Sequence, residues 1–204
     1  QIRKMLEKFH GDPNPQAVST AWPYLKSNDR FIRYAARIAI EHQPVDQWQE
    51  KALNETDPQI VTQAIIALAR STDSTGPQTK MINALARINY TSLSESQKLD
   101  VVRAFELVLL RSGQPDAAAK AKLIAYLNPK FPANTNELNR ILSKVLVYVN
   151  APQAVAKTMT LMATATDDKN YQKTFTSSSD LVGRNPQYGL DIAGMLAKTP
   201  PAQK

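Results

Sequence analysis

The sequence predicts an all-α fold, a right-handed α-solenoid of antiparallel helix hairpins, on three observations. The first is a repeated register: Asp29-Arg30-Phe31-Ile32-Arg33-Tyr34-Ala35-Ala36-Arg37-Ile38-Ala39-Ile40 returns 28 residues later as Asp57-Pro58-Gln59-Ile60-Val61-Thr62-Gln63-Ala64-Ile65-Ile66-Ala67-Leu68. The second is punctuation: 6 Gly against 13 Pro suits helices joined by short turns and disfavours a sheet full of glycine turns. The third is apolar spacing at the helical period in nearly every segment. An acid opening a helix, followed by small and branched apolar residues, is what a stacked repeat needs.

The elements read in order as follows. Ile2 to His10 is a short amphipathic helix, broken by Gly11-Asp12-Pro13-Asn14-Pro15. Gln16 to Lys26 follows, with Pro23 expected to kink it. Ser27-Asn28-Asp29 offers cap chemistry for a helix from Asp29 to His42. That helix is apolar on more than one side, as a helix sandwiched between neighbours would be. Pro44 ends it, and Val45 to Asn54 is read as the next helix. Asp57-Pro58 supplies a cap and a first-turn proline for a helix to Arg70.

After the polar break Ser71 to Pro77, Gln78 to Ile88 is helical, with Met81, Ile82, Leu85 and Ile88 on one face. Ser94-Glu95-Ser96-Gln97 is a capping-box start for a long helix stopped by Gly113 and Pro115. Its richest apolar stretch, Val101 to Leu110, is interrupted by Arg103 and Glu106, so it reads as a buried helix. Asp116 to Leu127 is Ala-rich and helical, and Asn128 to Asn134 is a proline-bearing loop. Leu138, Ile141, Leu142, Val145, Leu146 and Val149 form a clean buried stripe. Gln153 to Thr166 carries Ala154, Val155, Met159 and Met162 on its apolar face. The pattern weakens from Asp167 to Asn185, and Tyr188 to Ala197 reads as a last helix.

No domain boundary stands out, so residues 1–204 are read as a single solenoid domain, with Asn128 to Asn134 as the best place for a change of repeat direction. The start at Gln1 and the helix running into Pro200-Pro201 suggest a piece of a longer multidomain protein.

Several function classes fall away. No cysteine is present, which excludes a disulfide, a thiolate metal site, a thiol nucleophile and covalent haem attachment in this segment. No apolar run approaches the roughly 18 residues a membrane span requires. No G-x-S-x-G, phosphate-cradling loop or G-x-G-x-x-G occurs. His10 and His42 fall at helix ends, where the backbone dipole favours them. Asp167-Asp168 is the one adjacent carboxylate pair and reads as a capping turn. Catalytic, cofactor and metal residues are therefore expected to be none, and the segment is expected not to be an enzyme.

The net charge is +7. Residues 1–100 carry 12 Lys and Arg against 11 acids, whereas residues 101–204 carry 13 against 7. A basic balance invites a nucleic-acid reading, but the charges are dispersed. Within them, Arg30, Arg33 and Arg37 share one helical face. They are either a basic ridge for an acidic partner or an inter-repeat ladder pairing with Asp29, Asp57 or Glu41; the ladder is the simpler reading. Trp22, Trp48, Tyr24 and Tyr34 are read first as core and inter-repeat packing, and second as contact area for a partner.

Ser27 to Ala39 resembles the second helix of a HEAT-type repeat: a polar turn, a branched apolar residue and Arg, then paired alanines. Val61 stands where the first copy has Arg33, so the Arg ladder is interrupted. Asn28 to Arg70 with Glu137 to Ala163 looks like the HEAT-like segment of large secreted bacterial proteins described as membrane-bound dehydrogenases or c-type haem-containing proteins. The resemblance implies an extracytoplasmic place and a non-catalytic scaffold that grips a protein, either a neighbouring domain of the same chain or a separate molecule. No C-x-x-C-H is present, so haem chemistry does not carry over. The second reading is a HEAT-like nucleic-acid-binding protein of the DNA glycosylase type. It fits the pI and length, but the regular repeats sum to nearly zero charge.

Overall fold

The computed structural model describes residues 1–72 and 76–165. Asp73 to Thr75 of the polar break, Asp167-Asp168, the weak stretch to Asn185 and the expected helix Tyr188 to Ala197 lie outside the described residues. The chain divides into two compact units, Gln1–Ala154 and Val155–Lys204.

Among the described residues every regular element is a helix. The first unit contains α1 (Ile2–Glu7), α2 (Ala17–Ala21), α3 (Arg30–Glu41), α4 (Gln49–Asn54), α5 (Pro58–Ser71), α6 (Gln78–Ala86), α7 (Glu95–Ser112), α8 (Ala117–Leu127) and α9 (Asn136–Tyr148). α10 (Ala154–Thr164) follows. The helix starts are where cap chemistry puts them. Asp29 Oδ1 accepts from the N–H groups of Phe31 and Ile32, and Asp57 Oδ1 does the same for Gln59 and Ile60. Each such cap contributes about 1 kcal/mol. Ser94 and Gln97 form the expected capping box. α7 stops at Gly113, whose φ of +76° suits a residue without Cβ.

Two sequence expectations need correction. Gln16 to Lys26 is not one kinked helix: α2 ends at Ala21 and a 3-10 segment, Trp22–Lys26, begins with Pro23 in its first turn. Proline has no N–H to offer, so it sits where none is needed. Val45 to Asn54 is likewise split into a 3-10 turn, Val45–Gln47, and α4. Trp48 separates them, with φ −136°, outside the helical region.

Within the first unit, α1, α3, α5, α7 and α9 pack each against the next. On the other side, α4 packs on α6 and α6 on α8, and each of α4, α6 and α8 also packs on the odd-numbered helix that follows it. α5 is the most enclosed member, burying Ile60, Val61, Ala64, Ile65, Ala67, Leu68 and Ala69 between α3 and α7. α9 buries the predicted stripe of Leu138, Ile141, Leu142, Val145 and Leu146. The starts of α3 and α5 are 28 residues apart (Arg30, Pro58), but α7 starts 37 further on (Glu95) and α9 another 41 (Asn136). Longer helices in the later steps explain why the sequence repeat fades after Gly76.

Side chains tie the steps together. Glu41 of α3 accepts from Arg70 of α5 through both carboxylate oxygens at 3.0 Å. Arg103 of α7 pairs with Glu137 of α9 at 3.1 Å. On the other layer Arg87 donates to Leu53 O, and Thr79 Oγ1 to Asp116 Oδ2 at 2.6 Å.

In the second unit the described residues are Val155 to Ala165. Val155, Met159 and Met162, read on the apolar face of this helix, are exposed. Periodicity tells which residues share a face, not what covers it. No helix of the described residues is long and apolar enough to cross a membrane.

Candidate functional site

α3 buries Ala35, Ala36, Ala39 and Ile40. Small side chains there let α1 and α5 approach it from either side. The opposite face is the surprise. Phe31 and Tyr34 are each 56% exposed, so Tyr34 is not the packing residue its spacing suggested. Trp22 and Trp48, by contrast, are buried as expected. At 100° per residue, Tyr34 falls among Arg30, Arg33 and Arg37, with Phe31 flanking them. α3 is thus sandwiched between α1 and α5 as expected, with Phe31 and Tyr34 on the side left open.

These residues open onto a groove of about 430 Å³, completed by Gln63 of α5 and Asp100 of α7. The three arginines do different things in it. Arg33 Nη1 donates to Ser27 O at 2.7 Å and Asn28 O at 3.1 Å, fastening α3 to the turn before it. Its charge meets no carboxylate within ion-pair distance among the described residues. Arg37 lies 3.2 Å from Glu41 Oε1, donates to Gln63 Oε1 at 3.3 Å, and rests over the Tyr34 ring at 5.2 Å. Arg30 sits over Phe31 at 4.8 Å and makes no ion pair among the described residues. Guanidinium over ring presents a cationic, partly apolar surface.

The ties between steps differ from the expected acid–base ladder: among the described residues none of Arg30, Arg33 and Arg37 pairs with an acid of a neighbouring step, Arg37 meeting Glu41 of its own helix. Arg37 bridges to α5 through Gln63, and Glu41 bridges to Arg70, but Asp29 and Asp57 serve chiefly as helix caps. Asp57 also meets Lys26 at 3.4 Å. Among the described residues Arg30 and Arg33 take no part in these ties.

Asp100 was not singled out by sequence, since only folding brings it 70 residues back to Arg30. Burial pushes its carboxyl above the ordinary aspartate range, against the opposing pull of Arg33, Arg103 and Arg37. Such a group binds its proton more readily in the fold than unfolded. Its ionisation therefore opposes folding above that raised value, and the penalty disappears as pH falls below the ordinary range. Asp100→Asn is expected to raise Tm at pH 7 by about 1 °C, with the gain vanishing near pH 4. Thermal melts at the two pH values check this; a lower Tm at pH 7 would refute it.

Elsewhere, the His10 and His42 rings stack at 6.2 Å, and His10 Nε2 lies 2.7 Å from Ala35 O, a structural role consistent with their helix-end positions. Sequence reasoning also missed an aromatic cluster in which Lys130 lies 4.1 Å from the Tyr126 ring centre and 5.1 Å from that of Tyr90. Burial raises Tyr126 well above the usual tyrosine range. Its hydroxyl donates to Ile88 O at 2.8 Å. Among the described residues no three of His, Asp and Glu gather so as to hold a metal ion. No family model, curated protein or solved structure matches the chain, so the chemistry of the α3 groove is read from its own residues.

Proposed function

We propose that this chain is a non-catalytic scaffold, a short HEAT-like α-solenoid whose odd-numbered helices hold a protein partner. The observation that carries the reading is the exposed face of α3: two large rings and two arginines without ion-pair partners among the described residues, on a helix whose other face is closely packed. Exposed aromatic and Arg side chains are the residue types that dominate protein interfaces. The solenoid reading is supported by the succession of α1, α3, α5, α7 and α9, and by side-chain ties between successive steps. The sequence resemblance adds a proposed setting: a segment of a larger extracytoplasmic protein, possessing no cofactor of its own. The partner would be a neighbouring domain of that protein or a separate polypeptide.

Photo-cross-linking tests the reading. A benzoylphenylalanine in place of Tyr34 is expected to cross-link a polypeptide, whereas the same residue in place of Lys122, exposed on α8, is not. Equal yields from both positions, or none from either, would remove it.

A further inference from the structure

We infer that the α3 groove receives an extended acidic segment of the partner, with carboxylates on Arg30 and Arg33 and an apolar side chain against Phe31 and Tyr34. This rests on the scaffold reading and names the chemistry of what is held.

Charge complementarity is the main argument. Arg37 is already matched by Glu41, 3.2 Å away. Arg30 and Arg33 are not matched by any carboxylate within ion-pair distance among the described residues, and Asp100 is the only acid lining the groove. The groove therefore has spare positive charge, beside Gln63 and the half-buried Asp100 that complete its lining. Guanidinium groups take carboxylates in paired hydrogen bonds, and Arg30 already rests over the Phe31 ring at 4.8 Å, so part of its ordering is in place before a ligand arrives.

Spacing agrees. Arg30 and Arg33 are about 4.5 Å apart along the helix axis, and Arg37 about 6 Å further. Alternate side chains of an extended strand repeat at about 6.7 Å, so two acids on one side of such a segment fall within reach of this row. The next residue on that same side of the segment, two positions on, would then lie toward the rings.

A nucleic-acid strand fits less well. Its phosphates need a continuous basic lane, and Glu41, Asp100, Glu106 and Glu137 interrupt the charge along α3, α7 and α9. Residues 1–100, which contain the whole groove, carry almost balanced charge.

The test uses the full chain and a fluorescein-labelled decapeptide with four glutamates around two phenylalanines, read by anisotropy. Its counterpart has glutamine for every glutamate. The glutamate peptide is expected to bind about tenfold more tightly than the glutamine peptide, and to weaken several-fold between about 50 and about 300 mM salt. Arg30→Glu should weaken it by about tenfold, and Tyr34→Ala by a few-fold. Asp100→Asn should tighten it several-fold by removing the groove's own anion. Phe31, Tyr34 and Arg30 are exposed, so these variants should keep the wild-type circular dichroism.

Equal binding of the two peptides, or no effect of Arg30→Glu, would overturn the inference. So would tighter, Arg30-dependent binding of a thymidine dodecamer, which would make the groove a nucleic-acid surface. A polypeptide cross-linked from position 34 that has no acidic stretch would overturn this inference while leaving the scaffold reading intact. Absence of any cross-link from that position would overturn both.

Discussion

Trp48→Ala is expected to destabilise the first unit by about 3–5 kcal/mol, a fall in Tm of about 10 °C or more. Trp48 is fully buried in the short link between α3 and α4. Removing its indole leaves a large cavity that neighbouring backbone cannot readily fill. It also removes a hydrogen bond, since Nε1 donates to Gln43 O at 3.2 Å. Gln43 is itself almost wholly buried and joins three segments. Its Nε2 donates to Ala39 O at 3.0 Å, and its Oε1 accepts from Asn14 N–H at 2.7 Å. Trp48 therefore covers a small polar node linking the loop before α2, the end of α3 and the start of α4. Trp48→Phe keeps most of the volume and loses only the donor, so a loss of about 1–2 kcal/mol is expected. Thermal melts by circular dichroism decide between the two. Equal, small losses for both would show that the site repacks around the missing ring.

The part of this fold legible in the sequence is the part determined by local chemistry. Asp29, Asp57 and Ser94 cap because short polar side chains reach the next free N–H groups whatever lies further away. Gly113 ends α7 for an equally local reason. The α9 stripe was readable because branched apolar residues repeat without interruption. What stayed hidden depends on residues distant in sequence. Phe31 and Tyr34 are apolar enough to pass for core, and only the placement of α1 and α5 shows which side of α3 is left open. The 3-10 segments around Pro23 and Pro44 escape for a different reason: a 3-10 turn and an α turn use nearly the same residues over so few positions. Of the five residues proposed from sequence, Arg30, Arg33 and Arg37 lie on α3, and Asp29 and Asp57 stand just before α3 and α5. The division between them was not readable: Asp29 and Asp57 as caps, Arg37 tied to α5 through Gln63, Arg30 and Arg33 outside that tie. Neither Asp100 nor Gln63 carries any local signal of facing α3.

That division has a physical basis. A residue that ties α3 to α5 must reach a partner on α5, and those that do lie in the second half of α3. Arg37 and Glu41 meet that condition. Arg33 is one turn earlier and turns back to the carbonyls of Ser27 and Asn28, while Arg30 is at the first helical position and sits over Phe31. The same helix thus holds the stack together at one end and presents charge at the other. Val61, standing where Arg33 would recur in α5, is buried, and an arginine there would place its charge in the enclosed side of the helix.

Phe105→Ala should cost about 3–5 kcal/mol, and the way the loss appears tests whether the first unit unfolds as one. Phe105 is fully buried on α7 and its ring lies 5.6 Å from that of Tyr126 on α8. Tyr126 in turn meets Tyr90 edge-on at 6.1 Å, with Lys130 over both rings. Truncating Phe105 removes the support beneath this cluster, so the contacts around α7 and α8 weaken together. Phe105→Leu leaves more of the volume and should cost clearly less. Both tryptophans, Trp22 and Trp48, lie before α5 and report on the other end of the unit. If stacking couples the steps strongly, tryptophan fluorescence and circular dichroism will give one shared midpoint in Phe105→Ala, shifted by the full loss. If coupling is weak, the circular dichroism signal will fall first while fluorescence keeps its wild-type midpoint. The burial of α5 against both α3 and α7, and the ties Glu41–Arg70 and Gln59–Gln97 on its two sides, argue for the shared midpoint.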